Sequence, residues 1–219
     1  MKIFLLLANA FLLGLAHALE PDHMAAVSTF LSRYPGRLRA VRFCVQWGVG
    51  HMLPLLASVV AVAGIGAALP PRAASDAERA VGGMLVVLGV WVLREVWLGR
   101  LHLHTHEHDG VTHTHLHAHR HDPAHGHAHH TVLLVGIVHG LAGSASVMVL
   151  ALLAGTLSLW VSGAYVVTFS VGVILSMALY GWSAGALLEQ VAARRWAWLR
   201  LVQVGAGSCS VALGVYWFF

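Results

Sequence analysis

Charge is what this chain has least of. Asp, Glu, Lys and Arg make up 10% of its 219 residues, hydrophobic types make up 58%, and the mean hydropathy is +0.74. A soluble domain could not cover its core with that balance, so the composition points to a polytopic membrane protein. Cysteine is nearly absent. Cys44 and Cys209 lie in apolar runs without CxxC spacing, which excludes a disulfide framework and a thiolate metal site and leaves them as packing residues. The chain contains no Walker A sequence and no HExxH. It therefore reads as a non-enzyme without catalytic residues, and ATP hydrolysis would have to come from another subunit. The net charge of +4 and pI near 9.6 invite nucleic acid as a partner. The basic residues instead fall in short connections between apolar runs, where they act as topology signals.

Long apolar runs are what the chain has in abundance. They predict six helices, at about 3–30, 43–69, 79–98, 131–156, 161–187 and 197–219. Each meets the roughly 20 residues that a hydrocarbon core of about 30 Å requires. Met1-Lys2, the apolar stretch Ile3 to Leu15 and Ala16-His17-Ala18 also fit a cleaved signal peptide. Cleavage would leave five spans where the rest of the chain argues for six, so the segment is taken as the first span.

Arg33, Arg37, Arg39 and Arg42 follow the first run, Arg94, Arg100 and Arg120 the third, and Arg194, Arg195 and Arg200 the fifth. Only Lys2, Arg72 and Arg79 fall on the other side. The positive-inside rule then expects a bacterial-type inner membrane protein with both termini outside and the long third loop in the cytoplasm.

Four ionisable groups interrupt the first run: His17, Glu20, Asp22 and His23, around Pro21. An ionised side chain at the centre of a membrane helix costs roughly 2.5 to 3.5 kcal/mol, so the cluster needs a reason. On an unbroken helix His17 and His23 would point about 120° apart. Pro21 has no N–H to offer the carbonyl of His17, and a kink there would turn both rings towards one point. Imidazole nitrogen with carboxylate oxygen suits borderline ions such as Ni(II), Co(II) or Zn(II). The alternative reading of these residues is a hydrogen-bond network that holds a kinked helix. Glu20 reads equally as a ligand, as an orienter of one of the rings, or as a proton carrier.

The sequence His17-x4-Asp22-His23, followed by Met24-Ala25-Ala26-Val27-Ser28, resembles the His-x4-Asp-His signature of the nickel/cobalt transporter family. That family has shorter relatives tied to urease or hydrogenase maturation and others that act as exporters. Gly50-His51 in the second span and His139-Gly140 in the fourth are weaker echoes. The resemblance implies transport of Ni(II) or Co(II), with His17, Asp22 and His23 as core ligands and His51 and His139 completing the site or lining its approach. The chain departs from the larger members in having Glu20 where they often have Asp, six spans for eight, and Gly140 to Ala145 in place of an acidic, threonine-rich motif.

The halves of the chain repeat. Gly14-Leu15-Ala16-His17-Ala18-Leu19 matches Gly136-Ile137-Val138-His139-Gly140-Leu141, and Gly82 with Gly89-Val90-Trp91 matches Gly207 with Gly214-Val215-Tyr216. Gly48-Val49 against Gly172-Val173 is a weaker middle pair. Three helices per half is an odd number, so the second copy runs opposite to the first, as in many secondary transporters. Counted at 1.5 Å per residue, His51, His139, Asp22 and His23 lie about 10 to 12 Å deep and His17 about 20 Å.

Four of the 17 histidines lie in these spans, and the other thirteen crowd residues 99–130, many at alternate positions. With almost no aliphatic residues this loop is expected to be disordered without metal and to serve as a metal sponge or sensor. Arg94 and Glu95, near a helix end, are expected at the membrane interface. Met24, Met52, Met148 and Met177 read as packing, although a methionine pathway would suit Cu(I).

The expected architecture is thus an all-α polytopic membrane protein. Residues 1–98 form the first three-helix repeat, 99–130 the histidine loop and 131–219 the second repeat. Its expected function is transport of a divalent ion through a site of His17, Glu20, Asp22, His23, His51 and His139, with no cofactor beyond the transported metal. Expected partners are that ion and the bilayer, with a second copy or a metallochaperone as candidates and no nucleic acid. Two rival readings are a metal-delivery accessory protein for urease or hydrogenase, and a bis-histidine membrane haem protein.

Overall fold

The first apolar run folds as two helices. Helix α1 (Lys2–His17) ends at the first histidine and α2 (Pro21–Arg33) begins at the proline, with 55° between them. The carbonyl of His17, which an unbroken helix would pair with residue 21, accepts the N–H of Glu20 at 3.0 Å. Met24 N–H then opens α2 by donating to the carbonyl of Glu20. Proline at the first position of a helix costs nothing, because that N–H would have no partner in the helix. The kink expected at Pro21 within the run over 3–30 is thus a break of 55° between two helices.

The computed structural model describes residues 2–33, 36–64, 72–98, 101–108, 111–118, 131–142, 158–194 and 196–218. After Gly36, at φ 145°, helix α3 (Arg37–Val59) runs on into a π-helical turn, Val60–Gly64. Helix α4 (Ala73–Trp97), helix α5 (Thr131–Ala142), helix α6 (Leu159–Arg194) and helix α7 (Trp196–Phe218) complete the helical body. Residues 143–156 of the expected fourth span lie outside the described residues. At 36 residues α6 is about 54 Å long, well beyond the hydrocarbon thickness. Among the described residues four helices are long and apolar enough to cross a membrane, or five when α1 and α2 count as one bent span.

The surface is the inverse of a soluble protein's. Phe4, Leu12, Trp160, Leu179, Leu187 and Leu201 are exposed, whereas Asp22, His23, Arg33, His51, Glu95 and His139 are buried. Apolar side chains outside and ionisable ones inside are what a bilayer demands. This arrangement is consistent with a multi-pass membrane protein.

Helix α6 packs along α1 and α3, α7 along α4, and α2 on α7 and α4. Small residues set these approaches, because lipid supplies no hydrophobic drive between helices and close backbone contact takes its place. The contacts come in reciprocal pairs. A methyl group at Gly14 would meet the carbonyl of Phe169, and one at Gly136 that of Trp47. Likewise Gly172 abuts the carbonyl of Phe11 and Gly50 that of Leu133, while Gly82 and Gly214 each abut the other's carbonyl, as Gly207 and Gly89 do. Spacing alone paired Gly172 with Gly48. In these contacts its counterpart is Gly50.

The histidine loop has structure of its own. Strand β1 (Leu101–His108) and strand β2 (Val111–Ala118) form an antiparallel ribbon that sets His102 opposite His117, His104 opposite His115 and His106 opposite His113. The alternation X-His has a period of two, which is that of a strand. Over these residues the expectation of a disordered loop is corrected, while the other described elements are helical, as expected. His119, His121, His125, His127, His129 and His130 lie outside the described residues.

Candidate metal centre

Four elements bring imidazoles to one place. His17 ends α1, His23 lies in the first turn of α2, and His51 and His139 come from α3 and α5. His23 is central, its ring centroid 4.5 Å from that of His17, 5.4 Å from His51 and 5.1 Å from His139. His17 and His51 are 5.5 Å apart. The depth count set His17 some 8 Å away from the others because it assumed a straight helix; the break at Pro21 brings it into the same layer.

Nearly every ring has one nitrogen occupied and one left over. Nδ1 of His23 donates to Oδ1 of Asp22 at 2.9 Å, Nδ1 of His139 to the carbonyl of Val135 at 3.2 Å, and Nδ1 of His17 pairs with Oε1 of Glu20 at 2.9 Å. A proton held on Nδ1 leaves the lone pair on Nε2. Nε2 of all four histidines, and Nδ1 of His51 as well, is buried without a hydrogen-bond partner. Native proteins rarely leave one buried polar atom unmatched, so unmatched nitrogens on four neighbouring rings point to a ligand that bonds to all or some of them. Nitrogen donors with a carboxylate are the donor set of a borderline divalent cation.

The donors fall into two sets. His17, His23 and His51 form one and Asp22, His23 and His139 the other, the donor atoms of each lying within 4.8 Å of one another. Glu20 belongs to neither. Its carboxylate is about half exposed and bonds only His17 among these residues, the position of an orienting group.

Aromatic side chains close the site. The Trp47 ring lies 5.1 Å from His23, 5.3 Å from His51 and 5.4 Å from His139, and Phe169 lies 5.3 Å from His17. Reading the sequence missed both. The signal for Trp47 was its position four residues before His51, on the same helical face. Glu95 was also misjudged as interfacial. It is buried, 3.7 Å from the guanidinium of Arg33, which in turn lies over the ring of Trp91.

Over 178 residues the chain is 29% identical to the urease accessory protein UreH of Bacillus sp. (strain TB-90), covering 78% of this chain and 72% of that protein. The chain is similar to a urease accessory protein. That likeness and the apolar helical body are consistent with an accessory or transport protein and not an enzyme. No family model matches the chain, and no solved structure does.

Proposed function

We propose that the chain moves a divalent transition-metal ion, Ni(II) or Co(II) before Zn(II), across a membrane by alternating access. His17, Asp22, His23, His51 and His139 hold the ion, and Glu20 orients His17. The observation that carries this reading is the convergence of four buried imidazoles with unmatched Nε2 atoms. A dehydrated cation in a bilayer needs such donors, since nothing else there replaces its water. The ion is cargo, and no further cofactor is needed.

In this reading six spans form a 3+3 inverted repeat, residues 1–98 and 131–219, joined by the histidine loop 99–130. The reciprocal glycine contacts support it. A shift of 122 residues turns the pair Gly14 and Phe169 into Gly136 and Trp47, and the pair Phe11 and Gly172 into Leu133 and Gly50. A shift of 125 exchanges the two contacts between α4 and α7. Inverted repeats meet at the membrane midplane, where transporters bind their substrates. The excess of arginine on one side supports a cytoplasmic loop with both termini outside. There the loop collects the ion or buffers it, and exchange with a metallochaperone of urease assembly fits the likeness to a urease accessory protein.

That likeness also favours a second reading, in which the chain holds nickel for urease assembly without moving it. Haem fits poorly: histidine rings in mutual contact leave no slot for a flat macrocycle, and Asp22 would be idle. Proteoliposomes loaded with a metal-sensitive dye separate transport from delivery. Flux of Ni(II) or Co(II) is expected for the parent, none for His17→Ala or Asp22→Ala, and altered but persistent flux after deletion of 99–130. Binding without flux in the parent decides for delivery, and normal flux in both point variants rejects the site.

A further inference from the structure

We propose that the ion occupies two overlapping positions that share His23, the first completed by His17 and His51 and the second by Asp22 and His139, and that transport includes the handover between them. The inference rests on the transport reading above and deepens it.

The geometry argues for two positions. Metal–nitrogen and metal–oxygen bonds of about 2.0 to 2.2 Å leave at most about 4.4 Å between any two donors of one ion. Each set of three donors, within 4.8 Å of one another, needs only a small contraction to meet that limit. The five donors nevertheless divide into two sets, so one ion cannot engage all of them without rearranging the rings. His23 belongs to both sets, and its ring meets those of His17, His51 and His139.

The repeat gives the division a meaning. His17 and His139 stand 122 residues apart, as do Trp47 and Phe169. The contact of Trp47 with His139 at 5.4 Å is therefore the counterpart of the contact of Phe169 with His17 at 5.3 Å. Each half thus supplies one histidine backed by an aromatic ring from the other half. His23 has no such counterpart, since Ala145 stands at the equivalent place. It is the ligand that both positions must use.

During the handover the bonds to His17, His51 and Nε2 of His23 give way to bonds to Asp22, His139 and Nδ1 of His23, and the Nδ1 proton that faced Asp22 passes to the vacated Nε2. The cation is never without protein donors in a medium where a bare charge is prohibitive. The two positions differ in charge: the first offers three neutral imidazoles and the second includes a carboxylate. Because both use His23, a chain holds one ion at a time.

The test uses full-length protein with the thirteen loop histidines replaced by asparagine, so that bound metal reports the membrane site alone. Equilibrium binding of radiolabelled Ni(II) in detergent is measured beside flux in proteoliposomes. If two positions of similar occupancy exist, removing one lowers the apparent affinity only about twofold. His51→Ala and His139→Ala are each expected to keep one bound ion at near-parental affinity and to lose flux, whereas His23→Ala loses both. Co(II) bound to the two single variants is expected to give two different visible spectra, since one set lacks the carboxylate. A variant that loses binding is repeated as His51→Gln or His139→Gln, with elution as a single species as the check on folding. Loss of binding in a folded His51 or His139 variant to the extent seen for His23→Ala means a single site and overturns the proposal. Normal flux in either variant overturns it as well. If instead the parent binds Ni(II) but moves none, the transport reading fails and the handover with it, and His51→Ala and His139→Ala then report only how many positions the ion has.

Discussion

Asp22 and His23 are neighbours in sequence and partners in space, both buried, with Nδ1 of the histidine 2.9 Å from Oδ1 of the aspartate. Adjacent residues on a helix usually diverge by about 100°, so the pairing depends on the side chains folding towards each other at the start of α2. The carboxylate fixes which nitrogen of His23 carries the proton and so frees Nε2 for a cation. Asp22→Asn keeps the shape and removes the charge. Nickel affinity is expected to fall about 10- to 100-fold, the usual effect of losing a partner that orients a ligand histidine. Equilibrium binding with the loop histidines replaced reads it directly.

Pro21 brings His17 and His23 together through the break it imposes. Pro21→Ala restores an N–H that the carbonyl of His17 can accept, and the α1–α2 junction is expected to straighten. The two rings then move apart, the position that His17 completes is lost, and flux is expected to stop while nickel affinity falls only about twofold. Helix content by circular dichroism should hold or rise. Unchanged flux would show that the break has another cause.

Gly136 lets α5 approach α3 so closely that a methyl group would meet the carbonyl of Trp47. Gly136→Ala is expected to lower stability by about 1 to 3 kcal/mol, the range for overpacking a close contact. It should also slow flux, because α5 carries His139. Gly163→Ala is the control, since nothing lies within 4 Å of the added atom. Thermal melts in detergent distinguish the two.

Arg33 and Glu95 join α2 to α4 across a buried 3.7 Å contact. Removing one member of a buried ion pair costs about 3 to 5 kcal/mol, whereas replacing both with apolar residues is often neutral. Arg33→Met is therefore expected to destabilise the protein strongly, and adding Glu95→Leu to recover most of the loss. A double variant as unstable as the single one would mean that the pair does more than neutralise itself.

Much of this was legible in the residues alone. Scarce charge and long apolar runs specify a helical membrane body, because the bilayer penalises anything else. His17, Asp22 and His23 stand out because polar groups are rare in that setting. The repeat in glycine and histidine was visible too, since close backbone approach leaves glycine little alternative. The histidine alternation was read for its composition and not for its period, so the ribbon it forms was missed.

Tertiary structure decided the rest. The position of His17 depended on how far the chain turns at Pro21, and no periodicity gives the angle of a break. The convergence of His51 and His139 on His23 depended on which glycines meet which carbonyls, a property of pairs of helices and not of any one of them. Trp47 went unread and Glu95 looked interfacial because burial and partnership belong to the assembled bundle. The sequence determined which donors are present and that they fall in apolar runs; only the packing of α1, α2, α3 and α5 decided that they stand close enough to form two groups of three.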